Sequence, residues 1–301
     1  MIIIEQNTKR QLQRLAAQRQ LYTTAKTIFG WQVFFGGPVA VVSAFLVLII
    51  PSFKGIAAIW GIIVTLADLL WLTPWQKRLR ELAASIQEAF DCDVLELPWN
   101  EVKVGKTPDP ELIKEQSDKY SEGAEKMPPL LNWYAPAVDD LPLHIGRIAC
   151  QRSNCWWDSK QRRRYAYCVI AAVALVFVVV IGLSVGAGFR VEDFVLKIAA
   201  PLSPALLLGI RQYSEQMEAA ARLDRLKEHS ERLWNEALSG MSIADVNIKT
   251  RSLQDEIFES RRKSPLVFDR IYKWLRPNYE AQMNFGIAEL IAQAKHKLGL
   301  S

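Results

Sequence analysis

The sequence predicts an all-α integral membrane protein: four transmembrane helices arranged as two hairpins, with a mainly helical cytoplasmic region. Three observations carry this. The apolar residues are gathered into two blocks flanked by ordinary charged sequence, although the chain as a whole is only 50% hydrophobic and 23% charged. Lys and Arg fall on one side of those blocks. Elsewhere, apolar residues recur mostly at helical spacing.

Residues 1–28 are polar, with Leu12, Leu15 and Tyr22 on a roughly helical repeat, and read as an amphipathic helix feeding the first span. Lys9, Arg10, Arg14, Arg19 and Lys26 there face one acid, Glu5, a balance that suits an anchor on an anionic inner leaflet. No nucleic-acid polymer is expected as a partner. Met1 to Lys26 lacks the apolar core of a cleavable signal.

The first hairpin occupies residues 29–75. Its first arm holds Gly36, Gly37 and Pro38, tolerable in a membrane helix and a sign of a kink or a close neighbour. A short turn at Pro51 to Lys54 precedes the second arm, Gly55 to Trp75, which contains one carboxylate, Asp68. Its burial costs about 2.5–3.5 kcal/mol, offset by the surrounding Ile and Leu. Asp68 either faces a partner or water, or snorkels toward the interface marked by Trp71, Trp75 and Lys77.

Residues 76–164 form a cytoplasmic insertion. Leu79, Leu82, Ala83, Ile86 and Phe90 predict an amphipathic helix closed by a turn at Asp91 to Asp93. Glu111 to Tyr120 reads as a short helix, and Pro128, Pro129, Pro136 and Pro142 as an extended, turn-rich stretch. The insertion ends in QRSNCWWDSKQRRR, Gln151 to Arg164.

The second hairpin occupies residues 165–211. Twelve residues between Val169 and Val185 are Val, Ile, Leu or Phe, which favours insertion by about 4–7 kcal/mol. Gly182 and Gly186 form a small-xxx-small pair suited to helix packing. The last arm, Phe194 to Ile210, carries Lys197, Pro201 and Pro204, and predicts a broken helix.

Residues 212–301 are a helical C-terminal region. Ala219, Leu223, Leu226, Ser230, Leu233 and Ala237 alternate steps of four and three, a seam for this chain's own helices or for a neighbouring subunit. Further helices are expected at Lys249 to Lys263, Pro265 to Leu275 and Asn278 to Leu298. The two loops opposite the basic clusters contain only Lys54 and Arg190, so both termini are expected in the cytoplasm.

Nothing points to catalysis. His144, His229 and His296 are scattered, and no nucleophile triad, zinc signature, P-loop or dinucleotide fingerprint occurs. Asp139–Asp140 and Asp255–Glu256 are sequence neighbours, which do not face one another on a helix. Cys92, Cys150, Cys155 and Cys168 form no CxxC pair, so structural thiols are expected and neither a metal nor a cofactor.

The motif has two readings. In one, Trp156 and Trp157 are interface aromatics and Arg162, Arg163 and Arg164 are headgroup anchors. In the other, Arg152 meets phosphate, Trp156 or Trp157 stacks on a base, Asn154 or Asp158 meets a base edge, and Arg162 is a further candidate ligand contact.

The stretch NWYAPAVDDLPLHIGRIACQRSNCWWDSKQRRRYA resembles the signature of the SMODS-associated four-transmembrane family of pore-forming effectors. FDCDVLELPWN, Phe90 to Asn100, and SLQDEIFESRRKSPLVFDRIYKWLRPNYE, Ser252 to Glu280, resemble its other blocks, in order. The resemblance implies an effector of an anti-phage system that permeabilises the bacterial inner membrane when a cyclic oligonucleotide signal arrives. On that expectation the chain acts as a homo-oligomer in the lipid bilayer, with Asp68, Lys197, Pro201 and Pro204 as candidates for the conduction path or gate. The alternative is a non-conducting, membrane-anchored scaffold that recruits partners through its cytoplasmic helices.

Overall fold

The computed structural model of the chain describes residues 2–122, 130–186, 188, 190–195 and 199–299. Every regular element among them is helical. In order these are α1 (Ile2–Gln6), α2 (Lys9–Phe34), α3 (Ala40–Ile49), α4 (Lys54–Ala67), α5 (Thr73–Val94), α6 (Glu101–Val104), α7 (Pro110–Glu122), α8 (Leu143–Gly186), α9 (Val191–Phe194), α10 (Ala200–Leu238), α11 (Ile243–Lys263) and α12 (Asp269–Leu298). Two π-helical segments, Phe35–Val39 and Asp68–Leu72, join α2 to α3 and α4 to α5.

The chain divides into two compact units. The first comprises Met1–Thr24, Leu79–Arg162 and Ala219–Ser301, and the second Ala25–Arg78 and Arg163–Glu218. Both are built from separated stretches of sequence, because α2, α5, α8 and α10 each run from one unit into the other without a break.

The first unit holds a conventional core. Leu15, Phe90, Ile145, Ile148, Leu233 and Ile291 belong to its main cluster. Leu223, Leu253 and Ile257 close around Cys155 in a second. The seam on α10 is therefore occupied by the chain's own helices: Ala219, Leu223, Ser230, Leu233 and Ala237 are all buried.

α2 is a core helix here, with every residue from Arg14 to Gln18 buried. Arg14 donates to the Asp93 carboxylate at 2.6 Å and to the Ala89 carbonyl at 2.8 Å. Arg10 approaches Asp93 at 3.4 Å, and the Arg19 guanidinium lies 5.6 Å from the Trp133 ring centroid. Internal contacts thus engage Arg14 and Arg19, which the anchor reading had facing headgroups, while the Arg10 side chain stays 71% exposed. Asp139 accepts the amides of Ile2 and Ile3 at 2.8 and 3.2 Å, satisfying donors at the start of α1.

The second unit is inverted. Gly55–Val94 and Leu143–Gly186 each contain a window long and apolar enough to cross a membrane, of which 0% and 6% respectively is buried. Ile59, Leu69, Leu175 and Val178 are 61–65% exposed. Inside the unit, Phe35 packs on Trp60 with ring centroids 6.0 Å apart, and Gln32 reaches Asp68. The run from α2 to α3 therefore returns against α4. Ile50 leaves helical geometry at φ −125°, ψ 87° because Pro51 follows it.

Several expectations are corrected. α8 begins at Leu143, so the QRSNCWWDS motif is the same unbroken helix as the apolar stretch after it. Asp91 and Asp93 lie inside α5, their carboxylates held by cations in place of the expected turn. α12 passes through Pro277 as one helix where two were expected. α11 starts at Ile243, capped by the Ser242 hydroxyl, which accepts the Asp245 amide.

Gly182 and Gly186 face open space. The close approach of α8 and α10 is instead at Gly209, where a β-carbon would collide with Val173. Gly36 has the close neighbour its sequence suggested, Leu208 of α10. Helix α10 is unbroken through Pro201 and Pro204, because these fall in or just past its first turn, where amides lack a helical acceptor or have barely gained one. Lys197 lies outside the described residues.

Candidate functional site

Helical spacing aligns polar stripes on three helices of the first unit. On α5 the stripe is Glu88, Asp91 and Cys92; on α8 it is Arg147, Gln151 and Asn154; on α11 it is Arg251, Gln254, Asp255 and Arg261. Counted from the first residue of each set, the offsets are three, four or their sums, so each set lies along the face of that residue.

The stripes meet in one buried network. Asp91 accepts the Tyr134 hydroxyl at 2.6 Å and the Gln254 amide at 3.0 Å, and pairs with Arg261. Glu88 accepts from Arg251 at 2.7 Å and from Gln254 at 2.8 Å. Asn154 donates to the Tyr134 hydroxyl at 3.0 Å, and Gln151 to the Gln254 side-chain oxygen at 3.1 Å. Arg251 also reaches Asp255 at 2.9 Å and the Pro98 carbonyl at 2.9 Å. Arg147 donates to the carbonyls of Leu95 and Glu96 at 2.7 and 3.1 Å, fixing the turn where Glu96 adopts φ 50°.

The electrostatics follow from burial. The side chains of Glu88 and Asp91 have no solvent exposure. Burial raises the Glu88 pKa, and the neighbouring charge of Asp91 raises it further. Burial opposes the charge of Arg261, but Asp91 and Glu88 outweigh it and hold its pKa above the ordinary value. Tyr134 is pushed up by burial and by Asp91. Paired carboxylates with one raised pKa resemble an acid–base arrangement. These, however, are closed off from any substrate, and their bonds join residues up to 170 positions apart. What the network can do is lock three helices in register.

The residues predicted to bind a ligand separate into two groups. Asn154 belongs to the buried network. Asp158 and Arg162 pair with each other at 3.0 Å, and Arg162 donates to the Pro265 carbonyl at 2.6 Å. Arg152, Trp156 and Trp157 face elsewhere: Arg152 pairs with Glu231 at 2.8 Å, and both indoles meet Tyr279 edge to face. Tyr279, Lys227 and Glu231 were not singled out in the sequence. Tyr279 lies in the block Ser252 to Glu280, so its place was marked, but its aromatic partners were not.

Of the predicted pore residues, Asp68 opens the second π-helical segment and accepts from Gln32 and, at 3.3 Å, from Thr73. Gln76 donates to the side-chain Oε1 of Gln32 at 3.0 Å. A small polar cluster therefore sits within otherwise apolar helices. Among the described residues no three His, Cys, Asp or Glu side chains lie together as metal ligands. Cys92, Cys150, Cys155 and Cys168 are free thiols, the first three buried.

The three sequence blocks that resemble one family are thus the blocks that contribute Asp91, Tyr134, Asn154, Gln254 and Arg261 to the network. The profile of the SMODS-associating 4TM effector domain matches residues 1–290. Over 282 residues the chain is 24% identical to a probable CBASS effector molecule of Bacillus cereus (strain VD146), covering 90% of this chain and 92% of that protein. No solved structure matches. With a match that reaches through both units, the chain belongs to the SMODS-associating 4TM effector domain family.

Proposed function

We propose that this chain is the membrane effector of a CBASS anti-phage system, set in the bacterial inner membrane by four helical spans as two hairpins. Both termini and the first unit lie in the cytoplasm. A cyclic oligonucleotide signal drives an oligomer of the chain to permeabilise the bilayer, and the chain itself catalyses no reaction. One observation carries the reading: most described Ile, Leu and Val side chains of the second unit are exposed, while the first unit gathers many of its own into buried clusters. Such a surface suits the hydrocarbon of a bilayer. The likeness to a probable CBASS effector and the membership of a 4TM effector family support the effector role.

α8 and α10 are continuous through both units, which gives a signal received in the first unit a physical route to the spans. The π-helical segments and the Gln32–Asp68–Thr73 cluster are the proposed moving parts, since π-segments and intramembrane carboxylates concentrate at functional positions. Pro201 and Pro204 at the start of α10, and Lys197, complete the proposed gate region. The scaffold alternative is weakened by burial of the α10 seam, its recruiting face.

The test is membrane potential in single cells expressing the chain beside a nucleotidyltransferase that makes the cyclic oligonucleotide signal. Potential should collapse before growth stops, and a catalytically dead nucleotidyltransferase should leave it intact. Growth arrest with potential preserved would refute permeabilisation.

A further inference from the structure

Arg152 stands one turn before Trp156 on α8, outside the buried network. Its Nε and Nη2 both donate to one oxygen of Glu231, at 3.0 and 2.8 Å. Lys227, one turn earlier on α10, holds the same oxygen at 3.1 Å. Two cations therefore share one carboxylate, leaving an excess of positive charge. Partial burial by itself would raise the Glu231 pKa, but the bonds from Lys227 and Arg152 outweigh it and hold the carboxyl below its usual range.

The three side chains remain reachable, with 20%, 26% and 36% exposure for Arg152, Lys227 and Glu231. Beside them, Trp156 and Trp157 meet Tyr279 at 6.2 and 6.1 Å, both rings near perpendicular to it. Two turns along α12 from Tyr279 is Gly286, whose missing β-carbon would lie 3.9 Å from Arg152 Nη1. No side chain from that position covers the guanidinium.

We propose that this surface where α8, α10 and α12 meet is a recognition site for a phosphate-bearing nucleotide, and that Glu231 is its resident stand-in. A phosphate takes the Arg152 and Lys227 donors and releases Glu231, while a base packs against the Trp156 face. Cation pairs hold phosphate as they hold carboxylate, and an indole adds a flat surface that accepts any base. A lipid headgroup shares the phosphate but has no ring to stack. The inference rests on the reading that a nucleotide messenger acts on this chain, and adds where it binds and what it displaces.

The test uses the full chain in detergent micelles, titrated calorimetrically with a panel of cyclic di- and trinucleotides, with inorganic phosphate, and in nanodiscs of anionic lipid. At least one cyclic nucleotide should bind. Arg152→Ala should weaken it about tenfold or more, and Trp156→Ala about fivefold to a hundredfold. Glu231→Gln should tighten it severalfold, a gain that misfolding cannot imitate. Equal affinity in all three variants would overturn the site and leave the messenger reading standing. No binding of any cyclic nucleotide by the wild type would overturn both. Inorganic phosphate or lipid binding as tightly as the nucleotides would reduce the surface to a plain anion seat and overturn its nucleotide role.

Discussion

Replacing Arg261 with Met probes the buried network at its centre. The Arg261 side chain is 10% exposed and that of its partner Asp91 not at all. After the substitution Asp91 keeps two neutral donors, the Tyr134 hydroxyl at 2.6 Å and the Gln254 amide at 3.0 Å. Breaking one side of a buried ion pair costs about 3–5 kcal/mol, because the remaining charge stays desolvated. That is a large part of the 5–15 kcal/mol typical of a folded protein, and at about 2–4 °C per kcal/mol it lowers the melting temperature by roughly 6–20 °C. Thermal unfolding in detergent, followed by tryptophan fluorescence, measures this, since Trp234 is buried in the same unit. Pairing Arg261→Met with Asp91→Asn should cost less than the sum of the single changes, by about 0.5–3 kcal/mol. A shift under about 2 °C for Arg261→Met, or strictly additive single changes, would refute the argument that this pair holds α5 to α11.

Three further outcomes follow from the same structure. Gly209→Val should separate α8 from α10, since even a β-carbon there meets Val173, and cysteine cross-linking between the two helices should fall while Gly182→Val leaves it unchanged. Because the folded-state pKa of Glu88 is raised, its contribution to stability is fully present below the unfolded value and is lost as pH rises through the folded one. Denaturation midpoints from about pH 4.5 upward should therefore fall less steeply in Glu88→Gln than in the wild type. Burial pushes the Cys155 thiol up to about 12, so maleimide at pH 8 should leave it unlabelled until the protein is denatured.

Much of the fold was legible because it rests on local periodicity. The α10 seam at Ala219, Leu223, Ser230 and Leu233 is buried as its three-and-four spacing implies. The run from Val169 to Val185 is an exposed apolar helix, as its composition implies. What escaped the sequence depends on distant partners. Asp91 looked like a turn residue because its cation, Arg261, is 170 positions away. The internal contacts of Arg14 and Arg19 were hidden because Asp93 and Trp133, which meet them, lie far along the chain. Pro277 looked like a helix end, yet α12 continues through it. At the candidate site, Arg152 and Trp156 were visible as unusual residue types, whereas Glu231 and Tyr279, which set their geometry, were hidden by ordinary surroundings.

The most direct measurement is ion flux across sealed liposomes that contain only the purified chain. Adding the product mixture of a nucleotidyltransferase that makes the cyclic oligonucleotide signal should release trapped potassium within minutes, and the same mixture should leave protein-free liposomes closed. Liposomes that stay sealed, under a mixture that still arrests growth in cells carrying the chain, would contradict the account.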